Sequence, residues 1–421
     1  MIQEKKISDF AEVITGGTPS TTKNEYWEGG DIPWLNSGEL NKKYIYESKN
    51  FITELGLKNS STRLMPPDTV LIALTGATCG LSALSKIEAC ANQSVTGILP
   101  SKSHIPEYLF HFLRTQRQRI LDKAWGNAQP HISQAFVKDF VVPLPSISDQ
   151  LHIANLLSKA ENLINQRKES ICLLDEFLKS TFLEMFGDCT KNEKNWKKVE
   201  LKYFGEIITG NTPPRNNAEN YSSNFIEWIK TDNIPADDAY ITNAVEFLSE
   251  NGLKYARTVE SGALLVACIA GSIQSVGRAA LTNRKVSFNQ QINAIQPNNE
   301  IEPLYLYWLF KISRKYIQDA ASNGMKKILT KGGFEKIKMI KPPIELQTQF
   351  AQIVEKTEAL KTQYQQSLQE LENLYGSLSQ KAFRGELSIK DESLLSSAER
   401  SLNQVEVSRS MVAEPETKYG E

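Results

Sequence analysis

The chain has 421 residues, of which 40% are hydrophobic and 23% are charged. This composition is typical of a globular protein with roughly two to four domains. Its 48 Lys and Arg residues nearly balance 49 Asp and Glu residues, which gives a net charge of −1. This charge excludes a strong overall electrostatic attraction to nucleic acid, but it does not exclude a local basic surface.

The N-terminal segment, MIQEKKISDF, is charged and lacks the apolar core of a signal peptide. The longest apolar runs, such as ALLVACIA from Ala263, are far shorter than the ~20 residues of a membrane helix and suit buried strands. Five cysteines occur without a CxxC pair, which indicates reduced thiols. We therefore expect a soluble, cytoplasmic protein.

The stretch ITGGTPSTTKNEYWEGGDIPWL, which begins at Ile14, recurs as ITGNTPPRNNAENYSSNFIEWI from Ile208, at an offset of 194. From Asn92 onward the offset is 197, so about three residues are inserted in the second copy before this point. The later register holds as far as Phe186 and Phe383, apart from a one-residue slip near Gly126. Such a long register predicts a tandem duplication, with each copy large enough for a domain and an appendage.

Each copy begins with a mixed segment, at residues 1–145 and 189–342. Short β-rich runs, TVLIALTG and GALLVACIAG, stand among turn-forming residues, and each segment has one helical patch, PEYLFHFLRTQRQRILDKA or PLYLYWLFKISRKYIQDAA. This pattern predicts two α/β or α+β globular domains.

A proline-containing segment, VPLPSISDQ or IKPPIELQTQ, ends each domain, and proline suits the entrance of a helix. Beyond it, residues recur in alternating steps of three and four, which is a heptad seam. The first seam comprises Leu157, Ala160, Ile164, Arg167, Ile171, Leu174, Leu178, Thr181 and Met185, and the second comprises Val354, Thr357, Lys361, Tyr364, Leu368, Leu371, Tyr375, Leu378 and Ala382. We expect long spacer helices within 146–188 and 343–386, each of roughly 36 residues and about 54 Å.

The two seams are each other's expected partners, as antiparallel coiled-coil helices. The duplication then has pseudo-two-fold symmetry, with a domain at each end of a spacer of about 50 Å, longer than one turn of B-DNA. Alternatively, each helix packs on a globular domain or on another subunit, since Arg167 and Lys361 are poor seam residues. The tail at 387–421 is polar and acidic, and we expect it to be flexible.

No catalytic motif supports an enzyme. The sequence contains no phosphate-binding loop, dinucleotide fingerprint, nucleophile elbow, HExxH zinc site or paired-carboxylate nuclease signature. The four histidines are scattered; His104 and His111 are expected to have surface or capping roles. We therefore expect no catalytic residue, no metal site and no cofactor bound by this chain.

Basic residues are concentrated at matching places in the two copies. Residues 311–341 contain nine Lys or Arg against Asp319 and Glu335, while a weaker cluster surrounds Arg114 and Arg117. Such clusters suit contacts with DNA phosphates, and the alternative is a solvated helix face. The candidate phosphate contacts are Arg114, Arg117, Lys315, Lys326, Lys327 and Lys331.

Polar loops differ between the copies while their flanks stay alike, as two different DNA half-sites would require. Ordinary variable turns are the alternative. Asn, Gln, Arg, Ser and Thr are the side chains that contact base edges. The candidates are Ser20, Thr21, Thr22, Lys23, Asn24, Asn127, Gln129, His131, Arg215, Asn216 and Asn217.

These features together resemble the specificity subunit of type I restriction-modification systems. The resemblance rests on the duplicated ITGGTP-like opening, GNAQPHIS, the segment PLPSISDQLHIANLL and the long helices, over about residues 1–386. The second copy departs from it, with GMKKILT in place of GNAQPHIS.

The resemblance implies a non-catalytic subunit whose two target-recognition domains each recognise half of a bipartite double-stranded DNA sequence. The helices would set the gap and dock two methyltransferase (modification) subunits, which use S-adenosylmethionine to methylate adenine N6. Restriction subunits would use ATP and Mg for translocation and cleavage. Two rival hypotheses are a coiled-coil adaptor without DNA binding and a stand-alone DNA methyltransferase.

Overall fold

The computed structural model describes residues 3–126, 128–269, 275–321 and 328–387. The chain divides into two units, the first formed by Met1–Lys168 with Gln365–Glu421 and the second by Glu169–Tyr364. Each unit is a mixed α/β structure that contains one copy of the repeat and parts of both long helices.

The strands of the first unit form three sheets. They are β1 (Gln3–Lys6), β2 (Val13–Thr15), β3 (Ile32–Leu35), β4 (Tyr44–Ile45), β5 (Asn50–Ile52), β6 (Val70–Ala73), β7 (Ser82–Ser85), β8 (Cys90–Ala91), β9 (Val95–Ile98) and β10 (Val141–Leu144). The main sheet has the order β2-β9-β6-β7-β4, a smaller one has the order β5-β3-β8, and β1 pairs with β10. The apolar run from Thr69 forms the fully buried β6 at the centre of the main sheet.

Four short helices and one long helix accompany these sheets. They are α1 (Glu54–Lys58), α2 (Pro106–Thr115), α3 (Arg117–Leu121), α4 (Gln134–Asp139) and α5 (Ile147–Phe186). The helical patch expected as one segment is divided at Gln116 into α2 and α3. The buried face of α2 packs on the main sheet, and its side chains share a core with β6 and with the beginning of α5.

The second unit has a related arrangement, with two four-stranded sheets where the first unit has one of five strands and one of three. Its strands are β11 (Lys198–Glu200), β12 (Gly205–Thr209), β13 (Ile226–Ile229), β14 (Phe247–Leu248), β15 (Thr258–Val259), β16 (Leu264–Ala267), β17 (Ala279–Leu281), β18 (Val286–Phe288), β19 (Ile292–Pro297) and β20 (Lys338–Ile340). The sheets have the orders β12-β19-β16-β17, β14-β13-β18-β15 and β11-β20. Its helices are α6 (Glu250–Leu253), α7 (Pro303–Ile312), α8 (Arg314–Asp319), α9 (Lys331–Glu335) and α10 (Ile344–Arg384).

Short 3-10 turns complete the described elements. They lie at Ile7–Asp9, Asn24–Tyr26, Ser37–Asn41, Gly76–Thr78, Leu201–Tyr203, Ala218–Tyr221 and Thr231–Asn233.

Strand pairing locates the insertion that shifts the repeat register. Ile72 of β6 pairs with Ser82 of β7, and Val266 of β16 pairs with Ala279 of β17. The central strands therefore match at an offset of 194, while the strands that follow match at 197. The three extra residues of the second copy thus lie between β16 and β17, in the segment that corresponds to 74–81 of the first.

The long helices contain 40 and 41 residues, somewhat more than expected. Ser146 stands before α5, where its hydroxyl oxygen accepts a hydrogen bond from the Asp149 backbone N–H at 3.1 Å, as an N-cap does. Gly187 and Gly385 follow the two helices in the left-handed conformation, with φ of 75° and 81°, which glycine adopts without strain.

Both heptad seams lie on inward faces. None of the nine seam residues of either helix is exposed. In the first unit, Leu157 and Ile164 of α5 share a core with Leu371 and Leu378 of α10. In the second unit, Leu178 of α5 shares a core with Val354 of α10. Each unit therefore packs a segment of α5, a segment of α10 and its own globular domain together, which combines the two arrangements considered from the sequence.

Candidate nucleic-acid interface

The polar loop that follows β2 is exposed but anchored. Residues 20–24 are all exposed. The Trp27 indole N–H donates to the Ser20 carbonyl at 3.1 Å, and the hydroxyls of Ser20 and Thr22 are hydrogen-bonded at 2.9 Å. The Lys23 ammonium lies over the Tyr26 ring, 4.9 Å from its centre. Thr21 and Asn24 complete this exposed loop, whose polar side chains are of the kinds that contact base edges.

The equivalent loop of the second unit has a more constrained arginine. Arg215 is exposed, but its guanidinium forms an ion pair with Glu246 at 2.8 Å and lies 4.8 Å from the Trp228 ring centre. Asn217 accepts a hydrogen bond from the Glu219 N–H and so caps a short turn, whereas Asn216 is exposed. The two loops therefore differ in chemistry as well as in sequence.

Equivalent tryptophans hold both loops on a common frame. The Trp34 indole N–H donates to the Gly17 carbonyl at 3.0 Å, and the Trp228 indole N–H donates to the Asn211 carbonyl at 3.2 Å. These bonds fix the chain just before each loop. Variable polar residues thus stand on a repeated, buried support, as in binding proteins that vary their loops on a rigid scaffold.

A second polar cluster of the first unit forms around the turn between β6 and β7. The backbone of His131 bridges to Thr75 and to Trp125, and its ring packs on the Trp125 ring at 4.7 Å. The Trp125 side chain is 54% exposed, and Gln129 is exposed beside it. Asn127, which we predicted for this cluster, lies outside the described residues.

The two predicted arginines near α2 have different surroundings. The Arg114 guanidinium donates to the Glu161 carboxylate at 2.6 Å, and that side chain is only 4% exposed and also accepts a hydrogen bond from Lys43. Arg114 therefore braces α2 against α5. Arg117 is half-buried and donates to the Ala77 carbonyl at 3.3 Å, which places it beneath the turn between β6 and β7.

The basic cluster of the second unit is partly described. Lys315 forms an exposed ion pair with Asp319 at 3.0 Å, and Lys331 forms one with Glu335 at 3.6 Å. Exposed pairs of this kind break at little cost, so both ammonium groups remain available to phosphate. Lys326 and Lys327 lie outside the described residues, as does the acidic tail from residue 388 onward.

The expected surface or capping roles of His104 and His111 were wrong, because both side chains are buried. His104 and His111 are 2% and 0% exposed, and burial lowers the pKa of each to about 4. The His111 ring is hydrogen-bonded to the Ser158 hydroxyl at 3.0 Å and the Tyr375 hydroxyl at 3.2 Å. His111 is therefore an internal link between α2 and the long helices.

Sequence reasoning missed an arginine that both copies share. Arg63 and Arg257 are 194 positions apart, the same offset as the two opening motifs. Arg257 donates to the Thr209 carbonyl at 2.7 Å, beside the second motif. The repeat offset could have identified this pair, but neither residue belongs to a dense basic run.

The described residues contain neither a candidate metal site nor a candidate membrane-spanning helix. Within 3–126, 128–269, 275–321 and 328–387, no cluster of three or more His, Cys, Asp or Glu side chains could hold a metal ion. Of the helices that the structure describes, none has the length and apolar character needed to cross a membrane.

Comparison with known proteins gives one consistent result. The family model for the type I restriction modification DNA specificity domain matches residues 2–172 and again 193–373. The chain is 34% identical over 208 residues to the type I restriction enzyme MjaIX specificity subunit of Methanocaldococcus jannaschii, covering 48% of this chain and 47% of that protein. It is 29% identical over 175 residues to the EcoR124I/EcoR124II specificity subunit of Escherichia coli, covering 40% and 43%. These alignments span a little under half the length of the relatives.

Solved structures share the fold over most of the chain. A type I restriction-modification S subunit from M. genitalium superposes with a TM-score of 0.56 at 17% identity, covering 91% of this chain and 96% of that one. A chain from a structure that describes complex assembly and conformational transition of the type I R-M system superposes with a TM-score of 0.57 at 19% identity, covering 91% and 98%.

Proposed function

The chain belongs to the type I restriction-modification DNA specificity family, as its sequence resemblance indicated, and on this premise we propose that it is a non-catalytic DNA-recognition subunit. Each of its two domains recognises one half of a bipartite target in double-stranded DNA. The observation that carries this proposal is the pair of divergent polar loops, at 20–24 and 215–217, held by equivalent tryptophan hydrogen bonds.

Domain boundaries follow from the same premise. Residues 1–145 and 189–342 are the target-recognition domains, and 146–188 and 343–386 are the spacer segments. Of the tail at 387–421, residues 388–421 lie outside the described residues. These boundaries assign each polar loop to its own domain, so each half of the target is recognised independently.

The two long helices pair as an antiparallel coiled coil with pseudo-two-fold symmetry, and they set the gap between the half-sites. Two ion pairs support this pairing. Lys168 of α5 contacts Glu372 of α10 at 2.8 Å in the first unit, and Asp175 of α5 contacts Lys361 of α10 at 2.6 Å in the second. The residue number rises from 168 to 175 along α5 while that of its partner falls from 372 to 361 along α10, which is the order expected of an antiparallel pair. The ion pair with Asp175 thus accommodates the charged Lys361 side chain at its position in the heptad seam.

Catalysis belongs to partner subunits. Two modification subunits dock on the helices, bind S-adenosylmethionine and methylate adenine N6 after flipping the base out of the duplex. Restriction subunits add ATP- and Mg-dependent translocation and cleavage. The chain itself binds no cofactor, and the whole complex works in the cytoplasm.

The candidate DNA contacts are the predicted loop and basic residues. Ser20, Thr21, Thr22, Lys23 and Asn24 face the first half-site, together with Gln129, His131 and Asn127. Arg215, Asn216 and Asn217 face the second half-site, and Arg117, Lys315, Lys326, Lys327 and Lys331 contact phosphates. Arg114 was predicted as a phosphate contact, but its ion pair with Glu161 favours a structural role.

Methylome sequencing tests this proposal. The chain is expressed with its modification subunits in a host that lacks other adenine methyltransferases, and N6-methyladenine is mapped by single-molecule sequencing. We expect one bipartite motif with a constant gap, absent when this chain is omitted. A methylated motif produced without partner subunits would indicate a stand-alone enzyme, and no motif together with no salt-dependent DNA binding would indicate an adaptor.

A further inference from the structure

A cavity of about 630 Å³ opens in the first unit beside the ITGGTP stretch. Thr15 and Gly16 of that stretch form one wall, Ser61 and Arg63 form a second, and Gln134 and Lys138 of α4 form a third. Segments far apart in the sequence thus bring two cationic and several neutral polar side chains to one opening.

Both cationic side chains of the cavity lack a protein partner. Within the residues that the structure describes, neither the Arg63 guanidinium nor the Lys138 ammonium forms an ion pair or a hydrogen bond. Neighbouring lysines behave differently, since Lys6 pairs with Asp139 at 2.8 Å and Lys58 pairs with Glu54 at 2.9 Å.

The cavity has an excess of positive charge. Glu12 is the acidic residue of its lining, against Arg63 and Lys138. Gln134 donates one amide hydrogen to the Val13 carbonyl at 3.0 Å, which orients its side chain at the wall. An anion entering this opening would gain two charge-assisted hydrogen bonds, which are stronger than neutral ones.

The lining also indicates which anion fits. It contains no aromatic side chain on which a nucleobase could stack. Guanidinium, ammonium and hydroxyl groups are instead the donors that contact phosphate oxygens in protein–DNA complexes. The cavity therefore suits a phosphodiester better than a base or a nucleotide.

The second unit does not repeat this chemistry. Arg257, the equivalent of Arg63, donates to the Thr209 carbonyl at 2.7 Å. Lys331 occupies the position of Gln134, and Glu335, at the position of Lys138, pairs with it at 3.6 Å. A carboxylate thus stands where the first unit has an unpartnered ammonium group.

We propose that the cavity formed by Arg63, Lys138 and the ITGGTP stretch binds a backbone phosphate of the DNA at the first half-site. This inference rests on the proposed function and adds a contact that orients the domain without selecting a base. The polar loop begins at Ser20, four residues beyond Gly16, so the two lie within about 14 Å along the chain. That distance corresponds to roughly four base pairs, so one half-site reaches both.

Fluorescence anisotropy with the complete complex, this chain with its modification subunits, tests the proposal. The probes are a duplex that contains the methylome-derived target and a scrambled duplex, each measured between 50 and 200 mM salt, the range over which phosphate contacts show strong salt dependence. We expect Arg63→Ala and Lys138→Ala each to weaken binding to both duplexes about equally, by about tenfold at the low-salt end. Each should also reduce the salt slope by about one.

Three controls accompany these variants. Arg63→Lys retains the charge and should retain the salt slope, and Lys58→Ala removes a paired lysine of the same domain and should change neither quantity. If Arg63→Ala lowers the thermal unfolding temperature, Arg63→Gln is measured in its place. The methylated sequence should be the same in every variant, because a phosphate contact carries no base information.

Several results would overturn the proposal. Unchanged affinity in both variants, or a changed first half-site, would exclude a phosphate contact. Inorganic phosphate that binds the wild type but not Arg63→Ala, and that leaves DNA binding unchanged at constant ionic strength, would assign the cavity to a free anion instead. An unaltered complex that binds neither duplex would refute the proposed function itself, which is a different outcome from binding that the substitutions leave unchanged.

Discussion

Gln150 and Gln347 occupy the same position in the two repeats and make the same three backbone hydrogen bonds. The Gln150 amide oxygen accepts from the Ile105 N–H at 2.9 Å, and the Gln347 amide oxygen accepts from the Glu302 N–H at 3.0 Å. Their amide nitrogens donate to two carbonyls each, Ser103 and Pro145 for Gln150, and Glu300 and Pro342 for Gln347.

Both glutamines are buried, at 1% and 0% exposure, in the first turn of a long helix. Each ties that turn to the segment before α2 or α7 and to the proline-containing entrance. The same buried side chain therefore anchors the beginning of each long helix to its own domain.

We predict that Gln150→Ala and Gln347→Ala each lower the free energy of unfolding by about 1–3 kcal/mol, because each leaves buried backbone groups without partners. Urea denaturation of the full chain measures this. Gln118→Ala, which removes an exposed glutamine bonded to Asp122, should have no comparable effect. If all three variants have the same urea midpoint, the hydrogen bonds shared by Gln150 and Gln347 do not contribute measurably to stability.

Arg114→Ala separates structural from DNA-binding roles. Glu161 would lose one of two cationic partners in a buried setting, so we expect destabilisation of up to about 3 kcal/mol. The salt slope of DNA binding should stay unchanged, whereas Arg117→Ala should reduce it. A reduced slope for Arg114→Ala without destabilisation would return Arg114 to the DNA interface.

The buried histidines make stability depend on pH. Burial lowers the pKa of His111 to about 4, from 6.5 for an unburied histidine, so between these values the unfolded chain binds a proton that the folded chain does not. Stability should therefore fall as the pH falls from 6.5 towards 4, by up to about 3 kcal/mol from His111. His104 adds a similar contribution.

Substitution of His111 tests this assignment. Unfolding free energies between pH 5 and 7 should depend less on pH in His111→Asn than in the wild type, whatever the change in absolute stability. His131→Asn, at a half-exposed ring packed on Trp125, is the matched control. If His111→Asn shows the wild-type pH dependence, folding does not lower the pKa of His111.

Exchange of residues 1–145 for the equivalent domain of a relative should change only one half of the methylated motif. The physical reason is that each polar loop is supported inside its own domain, by Trp34 in the first and Trp228 in the second. Methylome sequencing of the chimera measures the outcome. A change in both halves would show that the domains do not recognise DNA independently.

Matched insertions in the long helices should alter the gap alone. Seven residues added after Lys168 and after Tyr364 preserve the 3.5-residue seam and lengthen the pair by about 10 Å, or roughly three base pairs. We expect both half-sites to persist with a gap longer by about that amount. Insertion into one helix only should disrupt the ion pairs at Lys168 and Asp175 and reduce stability. A gap that stays constant after the matched insertion would contradict the spacer role.

Much of this organisation was predictable from the sequence because it is periodic. The repeat offset, the proline-containing entrances and the 3–4 spacing of seam residues are local patterns that directly indicate duplication and long helices. The glycines that end the helices were identifiable for the same reason. The family followed from these motifs without any coordinate.

Contacts between distant segments were not predictable. Arg114 belonged to a basic run, yet its partner Glu161 is 47 positions away, and His111 meets Tyr375 across 264 positions. Arg63 had no basic neighbours to mark it, and it joins Lys138 only through the fold.

The sequence by itself therefore determined the duplication, the helical segments and the family, since these depend on periodicity and short motifs. Only the tertiary structure decided which charges are buried in ion pairs, as Arg114 is with Glu161, and which are not, as with Arg63. It also placed the three-residue insertion between β16 and β17, because strand register is set by pairing between segments rather than within them.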